Sequence, residues 1–357
     1  MKIAGSISLS DLPKVCPLLS RRANLENGQS DRKTRSVRVG DVTFGGARRV
    51  VIAGPCAVES FDQMLEVARA VKTCGADMLR GGAFKPRTSP HDFQGLGLEG
   101  LEILREVSRQ TGLPVVTEVM DPRMVESVGA HADMLQIGSR NMQNYPLLAE
   151  AGKSGRPILL KRGMAASLCE WLGAAEYIAN EGNMDIVFCE RGIKSEASRD
   201  YSRCLLDLAI IPALRAETFL PVIVDPSHAT GISALVAPAS RAAIEFGADG
   251  LIIEVANEGA KPRCDAAQAI SPSNLKSIID YIRDGESIEG QQAPPLTARS
   301  GGDMPRPVSE ADPTLSRRID ELKSYYLRQT DAECLRYIER CIVSGSCDLE
   351  TATHDSR

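Results

Sequence analysis

The chain predicts a (β/α)8 TIM barrel, and three observations carry that prediction. Eight short apolar runs recur between residues 40 and 285. Each holds three to five apolar residues without clean alternation, the pattern of a strand buried on both faces. Segments with helical spacing lie between the runs, and that alternation over roughly 250 residues is what this barrel needs. A doubly wound open sheet is the competitor. It usually has fewer strands and often a Gly-rich first turn, whereas here the first turn is "GPCAVES", with no G-x-G-x-x-G.

Before the first run, residues 1–39 are polar and low in strand signal, and they read as a flexible extension. "RSVRVGDVTFGGARR" then reads as a small hairpin entering the barrel. The eight strands follow as "RVVIAG" (49–54), "ADMLRGG" (76–82), "LPVVTEV" (113–119), "ADMLQIG" (132–138), "RPILLKRG" (156–163), "MDIVFCERG" (184–192), "LPVIVDPSH" (220–228) and "DGLIIEV" (249–255). Helices are clearest in "FDQMLEVARAVKTCG", "LEGLEILREVSRQTG" and "AASLCEWLGAAEYIANEG", each stopped at Gly. Residues 286–312 are a linker rich in Pro, Gly and Ser. A helical tail spans 313–357, with Asp312 as N-cap and Pro313 in the first turn. Leu315, Ile319, Leu322, Leu335, Ile338 and Ile342 give this tail apolar stripes. We expect the tail to dock on the barrel or a partner and to serve assembly or regulation, without supplying a catalytic residue.

At 357 residues the chain can bury a sizeable core. A net charge of −5 with mixed signs argues against nucleic acid as a partner. No run approaches the roughly 20 apolar residues of a membrane span, and the first twenty residues lack a secretory apolar core. The expectation is a soluble, cytoplasmic protein with no membrane partner. Ten cysteines are scattered without paired spacings, so neither a disulfide framework nor a zinc finger is indicated. Cys74, Cys169, Cys189 and Cys204 read as buried free thiols.

In such a barrel the active site lies at the C-terminal ends of the strands, and those ends are crowded with chemistry. Taken alone, Cys56 suits core packing, half a disulfide, a nucleophile or a metal ligand. Together, Cys56, His228, Glu254 and Asp265 offer a thiolate, an imidazole and two carboxylates, a set suited to a divalent transition metal such as Mn²⁺, Co²⁺, Fe²⁺ or Zn²⁺. They sit at the tips of strands one, seven and eight, neighbours in a closed barrel, and this convergence outweighs the core reading. Arg80, Lys85, Arg87, Arg140, Lys161 and Arg191 form a second set. Cations repel around one pocket unless anions neutralise them, and Arg forks suit phosphate and carboxylate. The pocket is therefore expected to bind at least two anionic groups.

"AGPCAVES", "RGGAFKPRTSPHDFQGLG", "VVTEVMDP", "LQIGSRNMQN", "LLKRGM", "CERGI" and "VIVDPSHATG" resemble the 3-deoxy-D-arabino-heptulosonate 7-phosphate (DAHP) synthases. The resemblance is to their short microbial type I subfamily, itself related to the 3-deoxy-octulosonate 8-phosphate synthases, over about residues 38–284. It implies condensation of phosphoenolpyruvate with erythrose 4-phosphate at the start of the shikimate pathway to aromatic amino acids. It places metal ligands on Cys56, His228, Glu254 and Asp265, and phosphoenolpyruvate contacts on Arg80, Lys85, Arg140, Lys161 and Arg191, with Glu118 nearby. Lys85-Pro86-Arg87-Thr88 would hold the sugar phosphate; Pro86, where the octulosonate enzymes carry Asn, favours erythrose 4-phosphate. Catalytic roles fall on Lys85, Lys161, Glu118 and His228, and a homodimer or homotetramer is implied. Ala256, Cys264 and Lys194-Ser195 depart from the family pattern, which keeps open a sibling synthase using another aldose phosphate. An idle regulatory barrel is the remaining alternative.

Overall fold

A computed structural model describes residues 9–26, 34–87, 89–196, 202–257, 259 and 262–286. The linker, the tail and Thr88 lie outside the described residues. Two short strands, β1 (Val37–Val39) and β2 (Val42–Phe44), pair antiparallel as the expected hairpin. Eight parallel strands then close a barrel: β3 (Val50–Gly54), β4 (Met78–Arg80), β5 (Val115–Glu118), β6 (Met134–Ile137), β7 (Ile158–Lys161), β8 (Ile186–Glu190), β9 (Val222–Val224) and β10 (Gly250–Glu254). Closure comes from β10 against β3, in register from Gly250 with Val50 to Glu254 with Gly54. Each strand falls inside an anticipated apolar run.

The helices are α1 (Leu12–Val15), α2 (Arg21–Glu26), α3 (Phe61–Cys74), α4 (Leu98–Thr111), α5 (Val125–Gly129), α6 (Tyr145–Lys153), α7 (Leu168–Asn180), α8 (Ile210–Glu217), α9 (Pro226–Thr230), α10 (Ser233–Glu245) and α11 (Pro272–Glu286). Their ends follow local chemistry. Ser60 caps α3 by accepting the Gln63 N–H, and Ser167 and Glu170 form a reciprocal capping box at α7. Helix α3 buries Met64, Val67, Ala68 and Val71, the stripe its spacing anticipates.

Because side chains alternate along a strand, each barrel strand feeds two cores. Val51 and Ala53 of β3 point out toward the helices, while Val50 and Ile52 fill the interior. Val37, Val39 and Phe44 of the hairpin join that inner core and plug the N-terminal end of the barrel. With this end filled, the barrel offers its opposite mouth to ligands.

Residues 9–26 are packed rather than loose. Leu12, Cys16 and Leu19, at i, i+4 and i+7, are fully buried. The Leu18 and Leu19 N–H groups donate to the Glu176 carboxylate, and Arg21 donates to the Arg215 and Thr218 carbonyls. This much of the N-terminal stretch is therefore not the flexible extension we anticipated; its short apolar stripe was outweighed by polar surroundings. Among the described residues, no helix is long and apolar enough to cross a membrane.

Candidate active site at the barrel mouth

Strand ends deliver the site. Arg80 ends β4, Glu118 ends β5, Lys161 ends β7, Glu190 ends β8 and Glu254 ends β10. Two glycines make room for this. Gly54 ends β3 at φ 155°, where a Cβ would lie 2.2 Å from the Arg80 carbonyl oxygen. A Cβ on Gly138 would lie 2.0 Å from Glu118 Oε1. Bulk at either place would displace a site residue.

Cys56, His228, Glu254 and Asp265 present donor atoms all within 4.8 Å of one another. His228 Nε2 lies 3.1 Å from Glu254 Oε1 and 3.9 Å from Asp265 Oδ2, and Cys56 Sγ lies 3.2 Å from Asp265 Oδ2. Ligands of one first-row ion, with bonds of about 2.0–2.3 Å, keep such separations, so the donor set fits a divalent metal in both chemistry and spacing. Asp265 takes φ 53°, the one positive value among described non-glycine residues. Asp tolerates that conformation better than most, and strain of this kind gathers at functional sites.

Cations hold the same donors. Arg80 donates to Glu254 Oε1 at 3.0 Å, Lys85 Nζ donates to Cys56 Sγ at 3.0 Å, and Arg203 donates to Asp265 Oδ1 at 2.9 Å. Gln268 donates to the second Glu254 oxygen at 2.6 Å. Asp225, fully buried, accepts from His228 and from Lys161. Burial would raise the Glu254 carboxyl, but His228 and Arg80 outweigh it and hold it well below the usual range. Burial likewise opposes charge on His228, yet Asp225 and Glu254 lift it to about 9. The Cys56 thiol is pushed up by its hydrogen bond with Cys264 and by burial, while His228 and Lys85 pull the other way.

Above this cluster opens a cavity of about 460 Å³. Every described member of the anticipated cationic set lines it: Arg80, Lys85, Arg87, Arg140, Lys161 and Arg191, with Glu118 on the wall. Two cations that the sequence reading left without a role, Lys194 and Arg203, line it as well, making eight against the carboxylates of Asp92, Glu118 and Asp265. Among the described residues, Arg140 donates to the Pro86 carbonyl, and Arg191 donates to the Gly192 and His228 carbonyls and to Cys204 Sγ. Among the described residues, no carboxylate pairs with Arg140, Arg191 or Lys194. Arg80 Nε and Nη1 are buried with no acceptor among the described residues. Buried N–H groups find partners, so these atoms point to an anionic ligand. Cys204, expected to be simple core, lines this cavity, and Cys74 is half-buried.

The family model described as the DAHP synthetase I family matches residues 24–287. The chain belongs to that family. The chain is 44% identical over 247 residues to the phospho-2-dehydro-3-deoxyheptonate aldolase of Thermotoga maritima, covering 69% of this chain and 72% of that protein. It is 34% identical over 272 residues to the 2-dehydro-3-deoxyphosphooctonate aldolase of Syntrophotalea carbinolica, covering 71% of this chain and 96% of that protein. A crystal structure of the T. maritima DAHP synthase superposes with a TM-score of 0.70 at 40% identity, covering 76% of each chain. A truncated form of the T. maritima enzyme gives 0.69 at 39% identity, covering 77% of this chain and 97% of that one. As a DAHP synthase family member, the chain has its fold accounted for along with the crowded mouth.

Proposed function

We propose that the protein condenses phosphoenolpyruvate with erythrose 4-phosphate and water to give DAHP and inorganic phosphate, the first step toward aromatic amino acids. One observation carries this reading: His228 and Asp265 of the metal-donor cluster line a cavity in which, among the described residues, Arg140, Arg191 and Lys194 have no carboxylate partner. Two phosphorylated substrates supply the missing negative charge.

Cys56, His228, Glu254 and Asp265 would hold the divalent ion, which when bound supplies Lewis acidity for the aldehyde or for water. Arg140 and Arg191 would clamp the phosphate of phosphoenolpyruvate, with Arg80 and Lys161 toward its carboxylate. Carbon 3 of the enol then forms the new bond to the aldehyde carbon. Water adds at carbon 2, the carbon–oxygen bond to phosphate breaks, and phosphate leaves. Lys85 and Lys161 would move protons, and Glu118, hydrogen-bonded by Gln136 at 3.3 Å, lies on the same wall. Arg87 would meet the sugar phosphate by releasing Asp92, 3.3 Å away. Thr88 belongs to the same proposal but lies outside the described residues. We also take residues 40–285 as the catalytic unit, with the tail non-catalytic, and place the protein in the cytoplasm as a homodimer or homotetramer.

A second reading keeps the chemistry and changes the aldehyde. Lys194 lines the cavity where the family pattern carries Arg, and relatives named for octonate chemistry align over most of their length. Phosphate release from phosphoenolpyruvate, measured with four- and five-carbon aldose phosphates, separates the two. Preference for erythrose 4-phosphate is expected; preference for arabinose 5-phosphate would transfer the chain to the second reading.

A further inference from the structure

Asp225 directly follows β9 and is the N-cap of α9, the short helix that carries His228. Its side chain is fully buried, yet it takes no part in the donor cluster. Oδ1 accepts the His228 backbone N–H at 2.9 Å. Oδ2 lies 2.7 Å from His228 Nδ1 and also accepts from Lys161 Nζ. One carboxylate oxygen thus stands between an imidazole of the metal cluster and an ammonium that faces the anion cavity. Lys161 ends β7 and His228 sits on α9 after β9, so this oxygen is where the halves of the site meet.

An acceptor at Nδ1 draws the ring proton there and leaves Nε2, which faces Glu254 and Asp265, free to bind a metal. The same acceptor restrains the flexible stem of Lys161, which would otherwise spread its charge over many positions. We propose that Asp225 is a positioning residue that serves both halves at once, selecting the His228 tautomer and fixing Lys161. Metal affinity and phosphoenolpyruvate affinity both depend on it. This inference rests on the reading of the site as one that binds a metal and phosphoenolpyruvate.

Asp225→Asn tests it, because the amide keeps the shape and turns one acceptor into a donor. If the amide oxygen keeps the His228 backbone N–H, the amide nitrogen faces two other donors. His228 must then accept at Nδ1 and carry its proton on Nε2, and Lys161 loses its partner. Mn²⁺ affinity, read by competition with a chelator of known strength, should fall by about 10–100-fold. Phosphoenolpyruvate affinity for metal-free protein, read by calorimetry, should fall about tenfold, the scale of a charged hydrogen bond. Lys161→Met should weaken phosphoenolpyruvate while sparing Mn²⁺, and adding Asp225→Asn to it should cost Mn²⁺ affinity with no further loss of phosphoenolpyruvate. A folded Asp225→Asn protein within threefold of wild type for Mn²⁺ overturns the proposal, as does loss of metal with unchanged phosphoenolpyruvate affinity. If that variant fails to fold, Asp225→Ser, which can still cap α9 but cannot reach Nδ1 or Lys161, takes its place. Failure of both variants to fold would make Asp225 a structural cap and nothing more. Wild type is measured alongside: no binding of Mn²⁺ or phosphoenolpyruvate there sinks the functional reading itself rather than this one.

Discussion

The two ends of the barrel both carry acids and arginines, but they bury and partner them differently. At the N-terminal end, three Ala-Asp pairs each set an aspartate under a neighbouring strand. Asp77 accepts the Val51 N–H at 2.8 Å, Asp133 accepts that of Val115 at 2.7 Å, and Asp249 accepts that of Val222 at 2.8 Å. Arg48 and Arg283 then pair with Asp77, and Arg215 pairs with Asp249. Asp77 and Asp249 thus have arginine partners and Asp133 is held by a backbone N–H, while Arg215 Nε is buried with no partner among the described residues. At the mouth the acids face imidazole, thiol and cations instead, and among the described residues polar capacity is left over: unpartnered Arg80 atoms below, and cations without carboxylates above. Matched charge holds a fold, whereas surplus charge of one sign around a cavity awaits a ligand. Burial and the balance of partners both distinguish the ends: Arg48 is largely exposed beside Asp77, whereas Arg80 and Glu254 are buried together.

The largest break in this comparison should come from Cys56→Ala. It removes a donor of the cluster while filling little space, so activity should fall by at least about 10³-fold, with the bound metal lost and the metal-free melting temperature nearly unchanged. Metal analysis beside kinetics checks both halves. Phe44→Ala, at the plug, should do the reverse. Phe44 is fully buried in the inner core, and such truncations cost about 3–5 kcal/mol. Denaturant unfolding should show that loss while kcat/KM at 25 °C stays within a few fold. A smaller effect concerns pH. With His228 lifted from 6.5 to about 9 in the folded chain, its contribution to stability is complete below 6.5 and is lost as pH rises through 9. Metal-free protein should therefore melt a few degrees lower at pH 9.5 than at 6.5, and metal-loaded protein, whose imidazole holds no second proton, should lack that component.

Most of this architecture was legible because a (β/α)8 barrel writes itself in short apolar runs. All eight strands lay inside the runs read from the sequence, and reading only their C-terminal ends collected Cys56, Arg80, Glu118, Lys161, His228 and Glu254. What stayed hidden depends on distance in space. Arg203 reaches Asp265 across 62 positions, and nothing local to "YSRCLL" marks it as a cavity residue. Asp225 stood at a strand tip, and its i, i+3 spacing to His228 is an N-cap signal, but its bond to Lys161 comes from barrel closure. Leu12, Cys16 and Leu19 carried helical spacing over too short a span to be separated from a polar leader. The Ala-Asp pairs at 76, 132 and 248 recur visibly in the sequence, yet their backbone partners belong to neighbouring strands.

The central claim is that the surplus charge at the mouth serves a metal-dependent condensation of two phosphorylated substrates. The most direct measurement is phosphate release from phosphoenolpyruvate and erythrose 4-phosphate by the full chain, stripped with excess chelator and then reloaded with Mn²⁺, Co²⁺ or Zn²⁺. Release should be abolished by stripping, restored by at least one of these ions, and absent when either substrate is omitted. Full turnover in excess chelator, or phosphate release without the aldose phosphate, would contradict it.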